Sequence, residues 1–152
     1  MPIWWNLCSS GSIGKDLVKT REKRPNQRLS GQIEAMDELA SLQIIGDQGQ
    51  FTAKRAWRAR RFLERLGGLL VHPQLLSGEA LVIEKCNSVH TIFMSYPIDV
   101  IFCSAENQVV AIRKNLKPFR IVPPIKNAAY VIELASLAEN FPILPGCKVV
   151  IQ

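Results

Sequence analysis

Between Ala80 and Arg113 the chain passes through four short runs rich in Val, Ile and Phe, each ended by a turn-forming cluster. The runs are Ala80 to Lys85, Val89 to Met94, Ile98 to Cys103 and Val109 to Arg113. Cys86-Asn87-Ser88, Tyr96-Pro97 and Ala105-Glu106-Asn107-Gln108 separate them. β-Branched and aromatic side chains suit a pleated, half-buried surface, and runs bounded by turns in this way read as strands. This succession commits the chain to a mainly β fold.

The flanking segments extend the pattern. Leu42, Ile44 and Ile45 form a short apolar strand, Gly46-Asp47-Gln48-Gly49 a turn, and Phe51 to Ala56 the returning arm of a hairpin. Lys114 to Lys126 contains Pro118, Pro123 and Pro124, which forbid long regular structure. Ala129 to Leu134 and Lys148 to Ile151 read as strands, the latter following the turn at Pro145-Gly146. Two helices are predicted. The longer spans about 57–70, where Ala59, Phe62, Leu63, Leu66, Leu69 and Leu70 make one apolar stripe and Arg58, Arg61 and Arg65 share the other side. The shorter spans about 136–141 and opens on the capping-box pattern Ser136-Leu137-Ala138-Glu139. Short strands with these helices predict a β-sandwich or a partly open barrel.

The 152 residues are 47% hydrophobic and 21% charged, ordinary for a folded protein. That excludes a wholly disordered chain, a collagen-like fibre and a disulfide-dense miniprotein. No apolar run reaches the length of about 18 residues that a membrane span requires. Residues 1–35 are polar, basic and broken by Gly11, Gly14, Pro25, Asn26 and Gly31. They are expected to form a flexible basic segment ahead of a single compact domain over 36–152, with Met36 as an alternative translation start. Gly11-Ser12-Ile13-Gly14-Lys15 lacks the spacing of a phosphate loop. The N-terminus does not read as a secretory signal. Cys8, Cys86, Cys103 and Cys147 match no zinc spacing and fit a reducing compartment. A cytoplasmic location is expected, with no cofactor and no metal.

The formal charge is +6, and the bases bunch. Lys54, Arg55, Arg58, Arg60, Arg61 and Arg65 are opposed only by Glu64. Arg113, Lys114, Lys117, Arg120 and Lys126 meet no acid between Glu106 and Glu133. Such clusters are solvated faces or attract phosphates and acidic surfaces. Arg58, Arg61, Arg65, Lys114, Lys117 and Arg120 are the candidate basic patch.

The densest polar group within apolar sequence is Ser88-Val89-His90-Thr91, followed by Met94 and Asp99. In a strand from Val89, side chains at His90, Ile92 and Met94 would share one face. His90 is then a titratable group among apolar neighbours, either a ligand-binding histidine or a structural one. Asp99 is the nearest acid in the motif and a candidate partner for His90.

Ser88-Val89-His90-Thr91 with Met94, then Pro97-Ile98-Asp99-Val100-Ile101-Phe102, resembles the core signature of the domain of unknown function 192 family. Arg65-Leu66, Gly68-Leu69-Leu70 and Pro73 are similar to its helix end. Asn115-Leu116-Lys117-Pro118-Phe119-Arg120 is similar to its basic loop, and Val131-Ile132-Glu133-Leu134 with Leu144-Pro145-Gly146 to its closing strand and turn. The resemblance covers about Leu39 to Ile151. It departs at Gly67, where the family has an arginine, and at Cys147, where it has an aspartate. It implies a compact, mainly β domain with sandwich-like architecture, and no reaction.

Three functions stay open. The first is a non-catalytic binding module with a groove formed by Ser88, His90, Thr91, Met94 and Asp99 that takes a small ligand. The second is weak binding of nucleic acid or an acidic partner by the basic clusters, for which Tyr96 and Phe119 are the loop aromatics available for stacking. The third is an enzyme of unknown reaction type, for which Cys86 and His90 are the one conceivable nucleophile–base pair. No catalytic residue is assigned.

Overall fold

The structure, a computed structural model, describes residues 36–59, 74–135 and 143–152. Its strands are β1 (Asp37–Leu39), β2 (Leu42–Gly46), β3 (Gly49–Thr52), β4 (Arg55–Ala59), β5 (Glu79–Glu84), β6 (Val89–His90), β7 (Ile98–Cys103), β8 (Val109–Leu116), β9 (Ile121–Val122), β10 (Tyr130–Ala135) and β11 (Lys148–Ile151). They form a six-stranded sheet in the order β1-β4-β5-β10-β7-β8, a three-stranded sheet β11-β2-β3 and a ribbon β6-β9. Pairing is antiparallel except between β4 and β5, which run parallel with Trp57 opposite Leu81 and Ala59 opposite Ile83.

The three central strands are buried almost throughout, because both faces of the large sheet are covered. Alternate residues feed two cores. One face presents Ala80, Val82, Ile101, Cys103, Ile132 and Leu134 to Leu42, Ile44 and Val149 of the three-stranded sheet. The other presents Leu81, Ile83, Ile98, Val100, Phe102 and Val131, and packs with Leu75, Val89, Met94 and Val122. The β6–β9 ribbon and its loops therefore sit over this second face.

The expected sandwich or partly open barrel with two helices needs correcting. The sheets are open, with β1 and β8 as the unjoined edges of the largest, and no helix occurs among the described residues. Trp57–Ala59, expected to begin the longer helix, completes β4. Pairing with β5 buries Ala56, Trp57 and Ala59, and this outweighs a helical periodicity that needs the following residues for its stripe. The remainder of that helix, residues 60–70, and the shorter helix over 136–141 lie outside the described residues, as do residues 1–35. The hairpin arm expected over Phe51 to Ala56 is also divided. β3 pairs with β2, while β4 leaves for the large sheet after Ala53 donates to the Leu42 carbonyl (2.9 Å).

Cys147, the departure from the family's aspartate, is buried, and its Sγ accepts from the Leu144 N–H at 3.4 Å, closing the Pro145-Gly146 turn. The sulfur fits because Gly46 faces it: a Cβ on Gly46 would stand 2.6 Å from Sγ. Gly46→Ala should lower stability by about 1–3 kcal/mol through overpacking. Cys147→Ala in the same chain should recover most of that loss in urea unfolding, and additive losses would show that the two positions do not compete for space.

Candidate functional site

The motif around His90 and the basic loop over 115–120 are brought together by Thr91. Its strand, β6, is shorter than the expected Val89 to Met94 and stops at His90. β9 pairs with it, setting Val89 opposite Val122 and His90 opposite Ile121. Cross-strand partners share a face, so Val89 and Val122 go down into the core while His90 and Ile121 are exposed.

Beyond the ribbon two turns stand side by side. In the first, Thr91 to Met94, the Met94 N–H donates to the Thr91 carbonyl at 3.2 Å, and Phe93 at the third position has φ of 67°. In the second, Lys117 to Arg120, Pro118 occupies the second position and Phe119 the third, with φ of 58°. Both follow the pattern of a type II turn, whose third position calls for glycine or asparagine. Phenylalanine there costs about 1–3 kcal/mol, and such strain persists only where the surroundings hold it.

Thr91 does the holding. Its side chain is fully buried. The hydroxyl donates to the Lys117 carbonyl at 2.6 Å and accepts from the Arg120 N–H at 2.9 Å. It thus bridges the first and last residues of the second turn, where a direct hydrogen bond would otherwise run. The Thr91 N–H donates to the Arg120 carbonyl at 2.8 Å, and the Thr91 carbonyl accepts from the Phe119 N–H at 2.9 Å. The loop is secured at its other end by Asp99. Between Ile98↔Leu116 and Val100↔Arg113 the β7–β8 register shifts, so that Asp99 faces both Lys114 and Asn115 in a bulge. The Asp99 Oδ1 accepts from the Asn115 N–H at 2.6 Å, at a residue that also has positive φ (50°).

The consequence is an exposed apolar cluster. Phe93 is 78% exposed, Phe119 63% and Ile121 71%. The two rings meet edge to face, with centroids 6.4 Å apart and planes at 73°. Lys117 and Arg120 bracket Phe119 in sequence and are exposed, as is Lys114. Both rings are largely exposed, so Phe93→Asn and Phe119→Asn should keep or raise thermal stability, by up to about 1 kcal/mol each, since asparagine tolerates left-handed backbone. A clear loss would mean the rings are structural.

The expected site residues separate into distinct positions. His90 is on the exposed side of the ribbon. Met94 is buried in the second core, and Ser88 is half-buried, its carbonyl accepting from Cys86 Sγ at 2.9 Å. Asp99 is buried and alternates with Ile98 and Val100, so it belongs to the face of Ile101 and Cys103. The expected His90–Asp99 pair is therefore corrected: the two residues serve different faces. Arg58 is half-buried in β4 and ion-paired with Glu84 at 3.3 Å. Four strand steps, about 19 Å, separate β4 from β8, so Arg58 stands apart from Lys114. Arg61 and Arg65 lie outside the described residues. Sequence reasoning missed Phe93 and Ile121 and named Phe119 only as a loop aromatic.

A second polar feature lies beneath the second core. Glu133, on the same alternation as Val131, is buried, and its Oε2 has no hydrogen-bond partner among the described residues. Burial raises its pKa to about 7. The Tyr96 hydroxyl is also buried and is pushed up to about 12, by burial first and then by the Glu133 charge, with the Leu75 backbone offsetting part. Among the described residues no group of three His, Cys, Asp or Glu side chains could hold a metal ion, and no helix is long and apolar enough to cross a membrane.

The sequence profile of DUF192, described as uncharacterized ACR, COG1430, matches residues 43–151. The chain belongs to this family. Thr91, Asp99 and the loop over 115–120 thus all fall within the DUF192 match. Two solved structures are similar to it. A protein of unknown function from Novosphingobium aromaticivorans DSM 12444 is 24% identical with a TM-score of 0.65, over 74% of this chain and 84% of that one. A candidate transcription regulator (R01717) from Sinorhizobium meliloti 1021 is 16% identical with a TM-score of 0.63, over 76% and 95%. At these identities the likeness is one of fold. No curated protein matches the chain significantly.

Proposed function

We propose that this DUF192 chain is a non-catalytic binding module whose binding face is the exposed side of the β6–β9 ribbon and its two turns. One observation carries the reading: two phenylalanines occupy glycine-type turn positions with their rings in solvent. Strain of that kind, opposed by a fully buried threonine, favours presentation of the side chains over stability. Within the segment first singled out, His90 contributes to the face, Thr91 fixes its geometry, and Met94 and Ser88 support it from below. Asp99 acts through the bulge at Asn115 and touches no ligand.

A second reading, an acidic partner, is favoured by the bracketing of Phe119 with Lys117 and Arg120. It uses the same face and not Arg58. Amide chemical-shift mapping of the labelled chain tests the proposal, with a single-stranded oligonucleotide, heparin and anionic lipid vesicles as probes. Perturbations should concentrate at 90–94 and 117–121. Perturbations confined to other surfaces, or none with any probe, would remove this face as the site.

A further inference from the structure

The proposed face has a chemistry that selects among occupants. Phe93 and Phe119 stand out from two adjacent turns and Ile121 from the start of β9, and Lys117 and Arg120 flank Phe119. The sequence holds no acid between Glu106 and Glu133, so nothing within this stretch repels an anionic surface. Resting on the reading above, we infer that the face docks on an anionic lipid bilayer. Phe93, Phe119 and Ile121 enter the interfacial zone, while Lys117 and Arg120, with Lys114 behind them, meet the headgroups.

The observations favour lipid over nucleic acid. Serial base stacking needs ring faces open in roughly parallel orientation. Here the planes are 73° apart, and one ring covers the edge of the other with centroids at 6.4 Å. The third apolar residue, Ile121, has no π-face to offer. Burial in the headgroup–acyl boundary makes no such demand, because it rewards apolar area whatever its orientation. Stable attachment at a membrane surface takes two signals together, apolar insertion and basic residues facing anionic lipid. Turn tips supply the first and Lys117-Pro118-Phe119-Arg120 supplies both within one loop. The hydroxyl of Thr91 fastens both ends of that loop's turn, at Lys117 and Arg120.

Co-sedimentation of the full chain with vesicles decides the matter. Vesicles of phosphatidylcholine mixed with phosphatidylserine should bind at least about tenfold more tightly than phosphatidylcholine alone, with binding falling as salt rises. The pair Phe93→Asn and Phe119→Asn should weaken binding by about tenfold or more. The pair Lys117→Gln and Arg120→Gln should abolish the preference for phosphatidylserine. If the asparagine variants fail to fold, the glutamine pair decides alone. No binding to anionic vesicles, or undiminished binding by folded variants, overturns the lipid proposal. If an oligonucleotide then perturbs amides at 90–94 and 117–121, the binding face stands and only its occupant changes. If no probe perturbs them, both readings fall.

Discussion

At pH 8, Glu133→Gln should stabilise the protein by about 2–3 kcal/mol, and the native chain should be more stable at pH 5 than at pH 8. The sign follows from the direction of the shift. Glu133 has a folded pKa of about 7 against an ordinary 4.5. In the unfolded chain it ionises first, so its contribution is fully present below pH 4.5 and is lost as pH rises through 7. The full span is about 3 kcal/mol at 1.36 kcal/mol per unit. Tyr96 and Cys103, both pushed up to about 12 by burial, act in the same direction but only above about pH 9. Of these three groups, Glu133 alone acts between pH 5 and 8. Urea unfolding across that window reads the effect directly. A slope that survives in Glu133→Gln would assign it to another group.

Thr91→Val should cost about 2–6 kcal/mol, because an isosteric side chain leaves the Lys117 carbonyl and the Arg120 N–H without their partner, at about 1–3 kcal/mol each. Thr91→Ser, which keeps the hydroxyl, should recover most of it. Amide exchange separates a local from a global effect: protection at Phe119 and Arg120 should fall first and furthest in the valine variant. Equal stability of the valine and native chains would show that the hydroxyl bridge contributes nothing net.

Where strand limits were set by local chemistry, they were legible in the sequence. β7 and β11 occupy the predicted runs Ile98 to Cys103 and Lys148 to Ile151, each following a proline or glycine turn. The mainly β class and the family were legible for the same reason, since each rests on short motifs in order. Trp57–Ala59 was not, because its pairing with β5 is reached only after residue 78, and parallel pairing leaves no short-range signature. The early end of β6 was hidden more thoroughly. A turn that places Phe93 at positive φ contains no glycine or asparagine to announce it. The neighbouring turn over 117–120 is held by Thr91, whose hydroxyl partners stand 26 and 29 residues along the chain. The motif around His90 was legible, while its link to the loop over 115–120 was not: Thr91 and Asp99 hydrogen-bond to that loop, and phenylalanines that the sequence does not set apart are exposed beside it.

Leu42 pairs with Ile151, and Ser41 and Gln152 exchange two backbone hydrogen bonds at 3.1 and 3.0 Å. During synthesis β2 emerges roughly a hundred residues before β11, which at ribosomal speed is on the order of 5–20 s. For that interval its outer edge has no native neighbour, although Leu42 and Ile44 are apolar residues destined for the first core. Unpaired edges of this kind recruit other chains. The nascent protein thus passes through a vulnerable stage that ends only when residues 148–151 arrive, and its yield in cells should depend on chaperones that shield an exposed strand.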